Sequence, residues 1–130
     1  MFDFFKKKRP PSSGPDYSNV DSRQKAHELA RAGDFVAIQL LPAIFGGDDS
    51  APNVLYVPQF VADLKDEIDS GTVMRLVEQG KVTRYQATPK YQGKSVVPMS
   101  IEISAYEPAN FMASIAIWGD ALEANQPEKT

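Results

Sequence analysis

The chain has 130 residues, 42% of them hydrophobic and 24% charged, with no cysteine and a formal net charge of −3. That is enough for one domain with its own core. The lack of thiols excludes disulfides, cysteine nucleophiles, zinc knuckles and iron–sulfur ligation, and agrees with a reducing, cytoplasmic compartment. Outside the run Lys6-Lys7-Lys8-Arg9 the chain is acidic, which argues against a nucleic-acid binder, and no apolar stretch approaches the ~20 residues of a membrane span.

Residues 1–19 combine Phe2, Phe4 and Phe5 with that basic run and then Pro10-Pro11-Ser12-Ser13-Gly14-Pro15. The charges follow the apolar residues and no apolar core region comes after them, unlike a secretory signal. Two readings stand. The segment is a flexible tail, or it makes weak peripheral membrane contact. In the second reading Phe2, Phe4 and Phe5 enter the headgroup region and Lys6, Lys7, Lys8 and Arg9 meet anionic lipid, each cation worth about 1 kcal/mol.

Asp21 as N-cap, with Gln24 three residues on, and the apolar stripe Ala26, Leu29 and Ala30 predict a first helix closed by Gly33. Phe35 to Leu41 is apolar except for Gln39 and reads as a largely buried strand. After the loop Gly46-Gly47-Asp48-Asp49-Ser50, Val54 to Val57 reads as a second strand paired with the first. From Pro58 the period changes. Val61, Leu64 and Ile68 form one face and Asp63, Asp66, Glu67 and Asp69 mostly the other, an amphipathic helix that Ser70-Gly71-Thr72 should interrupt before a short second piece ends at Gly80.

Three strands are expected next: Val82 to Thr88, Ser95 to Tyr106 and Phe111 to Trp118. The last two carry an apolar residue at every second position on either side of the turn Glu107-Pro108-Ala109-Asn110, so each has an apolar face. Aligning the apolar sets places Ile101 opposite Tyr85 and Ile115, and Ile103 opposite Thr83 and Ala113. Arg84, Glu102 and Ser114 then meet on the other face as an ion-paired group. The result is an α+β domain over residues 20–120, in the order α-β-β-α-β-β-β. Its helices cover one face of a mainly antiparallel sheet of about five strands, and a polar tail follows from residue 121.

No constellation for catalysis stands out. His27 is the sole histidine and reads as a surface or boundary residue without triad or metal partners nearby in sequence. Asp48 and Asp49 lack the further oxygen ligands of a calcium loop. Gly93-Lys94-Ser95 lacks the upstream glycine and the helix of a phosphate loop and reads as a turn. Glu102 and Glu107 fall on opposite sides of a continuing strand, which argues against a glycosidase pair. No cofactor and no metal site is implied.

Two features bear on binding. The cluster Asp63, Asp66, Glu67 and Asp69 is either a solvated helix face or an acidic patch that steers a basic partner. The strand ending at Trp118 is apolar on both sides. Met112 and Trp118, beside Tyr106 and Pro98, are therefore either a protein-binding patch or covered by another segment or by a second copy in a homodimer. Small size, acidity and this patch favour a non-enzymatic, bacterial-type domain that inhibits or regulates a protein partner, as immunity proteins do. The rivals are an enzyme or enzyme subunit whose carboxylate, tyrosine and arginine groups come from distant segments, and a membrane or assembly protein using the N-terminal Phe/Lys segment.

Overall fold

The computed structural model describes residues 15–124. The membrane expectation for Phe2, Phe4, Phe5, Lys6, Lys7, Lys8 and Arg9 falls outside the described residues. The α+β class, the expected element order and the antiparallel pairing are all present, but the single sheet of about five strands is corrected to a sheet of two and a sheet of three.

Helix α1 spans Arg23–Arg31, and Ser22 rather than Asp21 is its N-cap. The Ser22 hydroxyl accepts from the Lys25 amide at 3.1 Å, satisfying an amide the helix itself cannot. Asp21, one residue too early for that role, binds the Lys25 ammonium at 2.8 Å instead. The exit is as the glycine suggests. Gly33 has φ 91°, its amide donates to Ala30 O and the Asp34 amide to Leu29 O, the paired bonds of a Schellman motif.

Strands β1, Phe35–Gln39, and β2, Val54–Pro58, pair antiparallel with Phe35 opposite Pro58 and Gln39 opposite Val54. Only Phe35 of β1 is fully buried, so this strand is more open than its apolar composition suggests. The loop between them is held by Asn53. Its amide nitrogen donates to Leu41 O and Asp48 O, and its amide oxygen accepts from Leu41 N. Asp48 accepts from the Ser50 amide and hydroxyl, which holds its carboxyl below the usual range. Here the aspartates are loop-closing groups.

Gly47 approaches the same loop so closely that a Cβ would lie 1.6 Å from Leu41 O. That carbonyl belongs to the Asn53 clasp, so it cannot retreat without breaking a hydrogen bond. Gly47→Ala should therefore destabilise the protein by about 1–3 kcal/mol, read as a lower urea midpoint at unchanged m. A midpoint equal to the parent's would show that the loop opens without cost.

Helix α2, Gln59–Asp66, runs through a π-helical segment, Glu67–Val73, into α3, Met74–Glu78. The interruption expected at Ser70-Gly71-Thr72 takes the form of this π segment, and a short second α piece follows it as expected. The backbone stays right-handed helical at both junctions and absorbs the weak helix formers by widening its turn. Gly80, with φ 72°, closes α3 through a second Schellman pair, Gly80 N to Val77 O and Lys81 N to Leu76 O.

Strands β3, Val82–Lys90, β4, Ser100–Pro108, and β5, Asn110–Ala116, form the second sheet in sequence order. The β4–β5 register places Ile101 opposite Ile115, Ile103 opposite Ala113 and Glu102 opposite Ser114, as the alternation requires. The β3–β4 register is corrected by four residues: Ile101 faces Pro89 and Ala105 faces Tyr85. An even slip leaves every side chain on its expected face, so alternation alone does not detect it. It arises because residues 95–99 leave the strand and pack as a buried connection, with Val97 and Pro98 in the interior. Pro89 is tolerated because β3 is an edge strand. The Arg84–Glu102 pair is corrected accordingly. Arg84 Nε meets Glu107 at 2.8 Å, a largely exposed pair, and Glu102 lies 3.6 Å from Lys90, a partly exposed one, both worth little to stability.

Trp118 belongs to the interior. Strand β5 ends at Ala116, and the amides of Ile117 and Trp118 both donate to Met99 O, at 2.7 and 3.3 Å. That double use breaks the alternation, so Ile117 and Trp118 both turn inward. A main core joins Ala26 of α1, Phe35, Leu55 and Val57 of the small sheet, Val61 of α2, and Ile101, Ile103 and Ile115 of the large one, with Val97 and Trp118. The N-terminal segment reaches it too. Tyr17, assigned above to a tail, packs edge-on against Phe35 and Trp118 at centroid distances of 5.2 and 6.2 Å, and Val96 N donates to Val20 O. A short helix α4, Asp120–Ala124, replaces the expected start of a polar tail.

Candidate functional site

The structure disperses the residues expected to bind a partner. Trp118 is 2% exposed, and its indole Nε1 donates to Val97 O at 2.9 Å. Pro98 is buried as well. The aromatic patch on the sheet is thereby corrected: Met112, 71% exposed, stands on an outer face shared with Arg84, Gln86, Thr88, Lys90, Glu102, Ser104, Ser114 and Ala116, with Tyr106 half-buried on the same face. His27 is exposed and meets the Tyr56 ring edge-on at 5.6 Å.

The acidic helix divides in two. Asp63, Asp66 and Glu67 are exposed, whereas Asp69 is 3% exposed and so is Lys65. The inward stripe of α2 and the π segment is Val61, Lys65, Ile68 and Asp69, and Leu64 faces out. Assigning Asp69 to the outer patch is corrected for a specific reason: it has a buried cation to pair with. Lys65 Nζ lies 2.6 Å from Asp69 Oδ2, 3.0 Å from Tyr85 OH and 2.9 Å from Leu40 O. The Tyr85 hydroxyl donates in turn to Asp69 Oδ1 at 2.7 Å.

This network uses all three donors of the ammonium, both carboxylate oxygens and the phenol proton. Burial lowers the Lys65 pKa, against the pull of Asp69 in the other direction. Burial, and then the hydrogen bond to Asp69, push the Tyr85 phenol well up. A network with every donor engaged holds elements together and offers no spare proton to a substrate. Here it ties α2 and the π segment to β3 and to the end of the small sheet. Sequence reasoning missed it, although one signal was present. Lys65 and Asp69 are four apart with the lysine first, the poorer order for stabilising a helix by itself, so the pair has its use elsewhere.

Rotating Lys65 inward has a consequence outside. Phe60, Asp63, Leu64 and Glu67 are spaced to share one helix face. Phe60 and Leu64 are 43% and 42% exposed. The Asp63 carboxylate accepts from Gln59 at 3.0 Å, and Asp66 on the flank accepts from Ser70 at 3.0 Å. The face is an apolar pair bordered by carboxylates.

A concave feature lies beside the edge strand β3, a cavity of about 410 Å³. Leu41, Phe45, Val73 and Val77 form its apolar wall, and Arg84 and Tyr106 stand on its polar side. The Tyr85 ring, 5.2 Å from Phe45, forms the floor. Glu107 holds the Arg84 guanidinium above its usual range through their hydrogen bond. The turn that carries Glu107 is anchored by Thr83 Oγ donating to Glu107 O and Ala109 N donating to Lys81 O.

Among the described residues no group of three or more His, Asp or Glu is placed to hold a metal ion, and no helix is long and apolar enough to cross a membrane. No protein family, no characterised protein and no solved structure matches the chain.

Proposed function

We propose that this domain acts by binding a protein through the outer face of α2, and that the partner offers an apolar recess rimmed by lysine or arginine. The observation that carries the reading is the exposure of Phe60 and Leu64 between Asp63, Asp66 and Glu67 on one helix. Apolar side chains that enter a recess supply affinity, and a surrounding single-sign charge supplies rate and partner choice. Helix-in-groove docking uses this spacing of anchors. By filling such a recess the domain inhibits or regulates the protein it binds, in the manner of an immunity protein.

The test is affinity capture from a lysate of the source organism at low salt, followed by the same capture with variants. One stoichiometric partner is expected. Leu64→Ser should weaken it by about 2 kcal/mol, the loss typical of a central anchor, and the double variant Asp63→Asn/Asp66→Asn should slow association and flatten its salt dependence. A partner held equally well by all three proteins, or none at any salt, overturns the proposal.

A further inference from the structure

We infer that the cavity beside β3 binds a small amphipathic carboxylate, a monoanion with an apolar tail. The site lies apart from the α2 outer face, and its ligand does not depend on the protein-binding proposal. Its volume of about 410 Å³ lies within the range of small-molecule sites and equals that of roughly fourteen waters at ~30 Å³ each. Four apolar side chains, Leu41, Phe45, Val73 and Val77, line one wall. That wall suits a short hydrocarbon tail and gives a polar ligand nothing to bond.

The opposite side sets the charge of the ligand. Arg84 is the one charged residue of the lining, which contains no carboxylate. Glu107 engages only its Nε, and the two terminal amino groups have no hydrogen-bond partner among the described residues. They present the fork that matches a carboxylate. The Tyr106 hydroxyl, on the same side, likewise has no hydrogen-bond partner among the described residues and can donate a further bond. The guanidinium is shared with Glu107, so a ligand with one negative charge meets a partly neutralised cation and a neutral hydroxyl. A dianionic phosphate would remain undercompensated and a cation would meet Arg84.

The floor of the cavity is held before any ligand arrives. Tyr85 is clamped by Lys65 and Asp69, so it presents its ring and not its hydroxyl to the cavity. Val73 ends the π-helical segment, and such segments occur often at functional sites. A floor already in place reduces the ordering cost of binding. Glu107 is the built-in competitor: its carboxylate sits on Arg84 Nε and draws off part of the charge that an incoming carboxylate seeks.

Octanoate is a suitable probe, titrated into the full chain by two-dimensional NMR with octylamine as the control. Saturable shifts are expected with octanoate, centred on Val73, Val77, Tyr85 and Tyr106, and none there with octylamine. Arg84→Gln should weaken octanoate by about tenfold or more, the value of a charged hydrogen bond, whereas Glu107→Gln should tighten it. Arg84 and Glu107 are largely exposed, so both proteins fold. Val77→Trp, at a partly exposed position, should fill the cavity and abolish the shifts. No saturable octanoate shifts in the parent protein, equal binding by the parent and Arg84→Gln, or octylamine shifts at the same residues would each overturn the inference.

Discussion

Asp69→Leu is expected to destabilise the protein by about 3–5 kcal/mol, because it leaves the Lys65 ammonium buried without its counter-charge. The remaining partners, Leu40 O and Tyr85 OH, are neutral and replace only part of the lost hydration. Lys65→Met alone should cost a similar amount, since it strands the carboxylate. The double variant Lys65→Met/Asp69→Leu removes both charges and both desolvation costs, so it should recover most of the loss, as apolar replacement of a buried pair commonly does. Urea unfolding of the four proteins gives the full cycle. A single Asp69→Leu loss below about 1 kcal/mol, the range of surface pairs, would mean that the pair is hydrated in solution.

The same network predicts an alkaline signature. Tyr85 has a raised pKa in the folded state, so the unfolded chain gives up that proton first, near pH 10. The Tyr85 contribution is complete below about pH 10 and is lost as the pH climbs past it. Lys65 acts with the opposite sign: its lowered pKa means that stability gains as the pH approaches the ordinary lysine value of about 10.4. Tyr85→Phe removes the first effect. The stability advantage of the parent over Tyr85→Phe should therefore shrink above about pH 10 and hold steady between pH 6 and 9.

Trp118→Ala is the second large effect, with an expected cost of about 3–5 kcal/mol. The indole sits where β5 ends, inside the main core and against Tyr17, so truncation opens a cavity bordered by two separate segments. Trp118→Phe keeps most of the ring and loses the bond to Val97 O, a cost nearer 1 kcal/mol plus a smaller void. Far-UV circular dichroism follows both, since the chain has no other tryptophan. In a cycle with Tyr17→Ala, a coupling of about 0.5–1.5 kcal/mol is expected from the edge-on ring pair. A coupling near zero would mean that the N-terminal segment leaves the core in solution.

Features governed by neighbours in sequence were legible in advance. Gly33 and Gly80 close their helices through left-handed backbone, because few other residues adopt that conformation cheaply. The β4–β5 pairing followed from a tight turn between two alternating strands, where little chain is available for a slip. The β3–β4 pairing was not legible to the residue, since the buried connection around Val97 and Pro98 decides how far the strands slide. The outer apolar pair, Phe60 and Leu64, stayed hidden while Leu64 counted as core, and the two errors have one source. Helical periodicity gives the angle between side chains but not which angle points inward.

By itself the sequence determined the α+β class, five antiparallel strands, the element order and, within the paired strands as far as Ala116, which residues share a face. These depend on backbone periods of 3.6 and 2 and on local turn chemistry. Tertiary structure alone decided that Lys65 and Asp69 lie inside, that Trp118 is covered by Tyr17, and that Arg84 stands beside a cavity. Each depends on a partner at least sixteen positions away: Tyr85 for Asp69, Leu40 for Lys65, Val97 for Trp118, Glu107 for Arg84. A buried charge or a buried indole is favourable only once its distant hydrogen-bond partner is in place, and it is the fold that brings the two together.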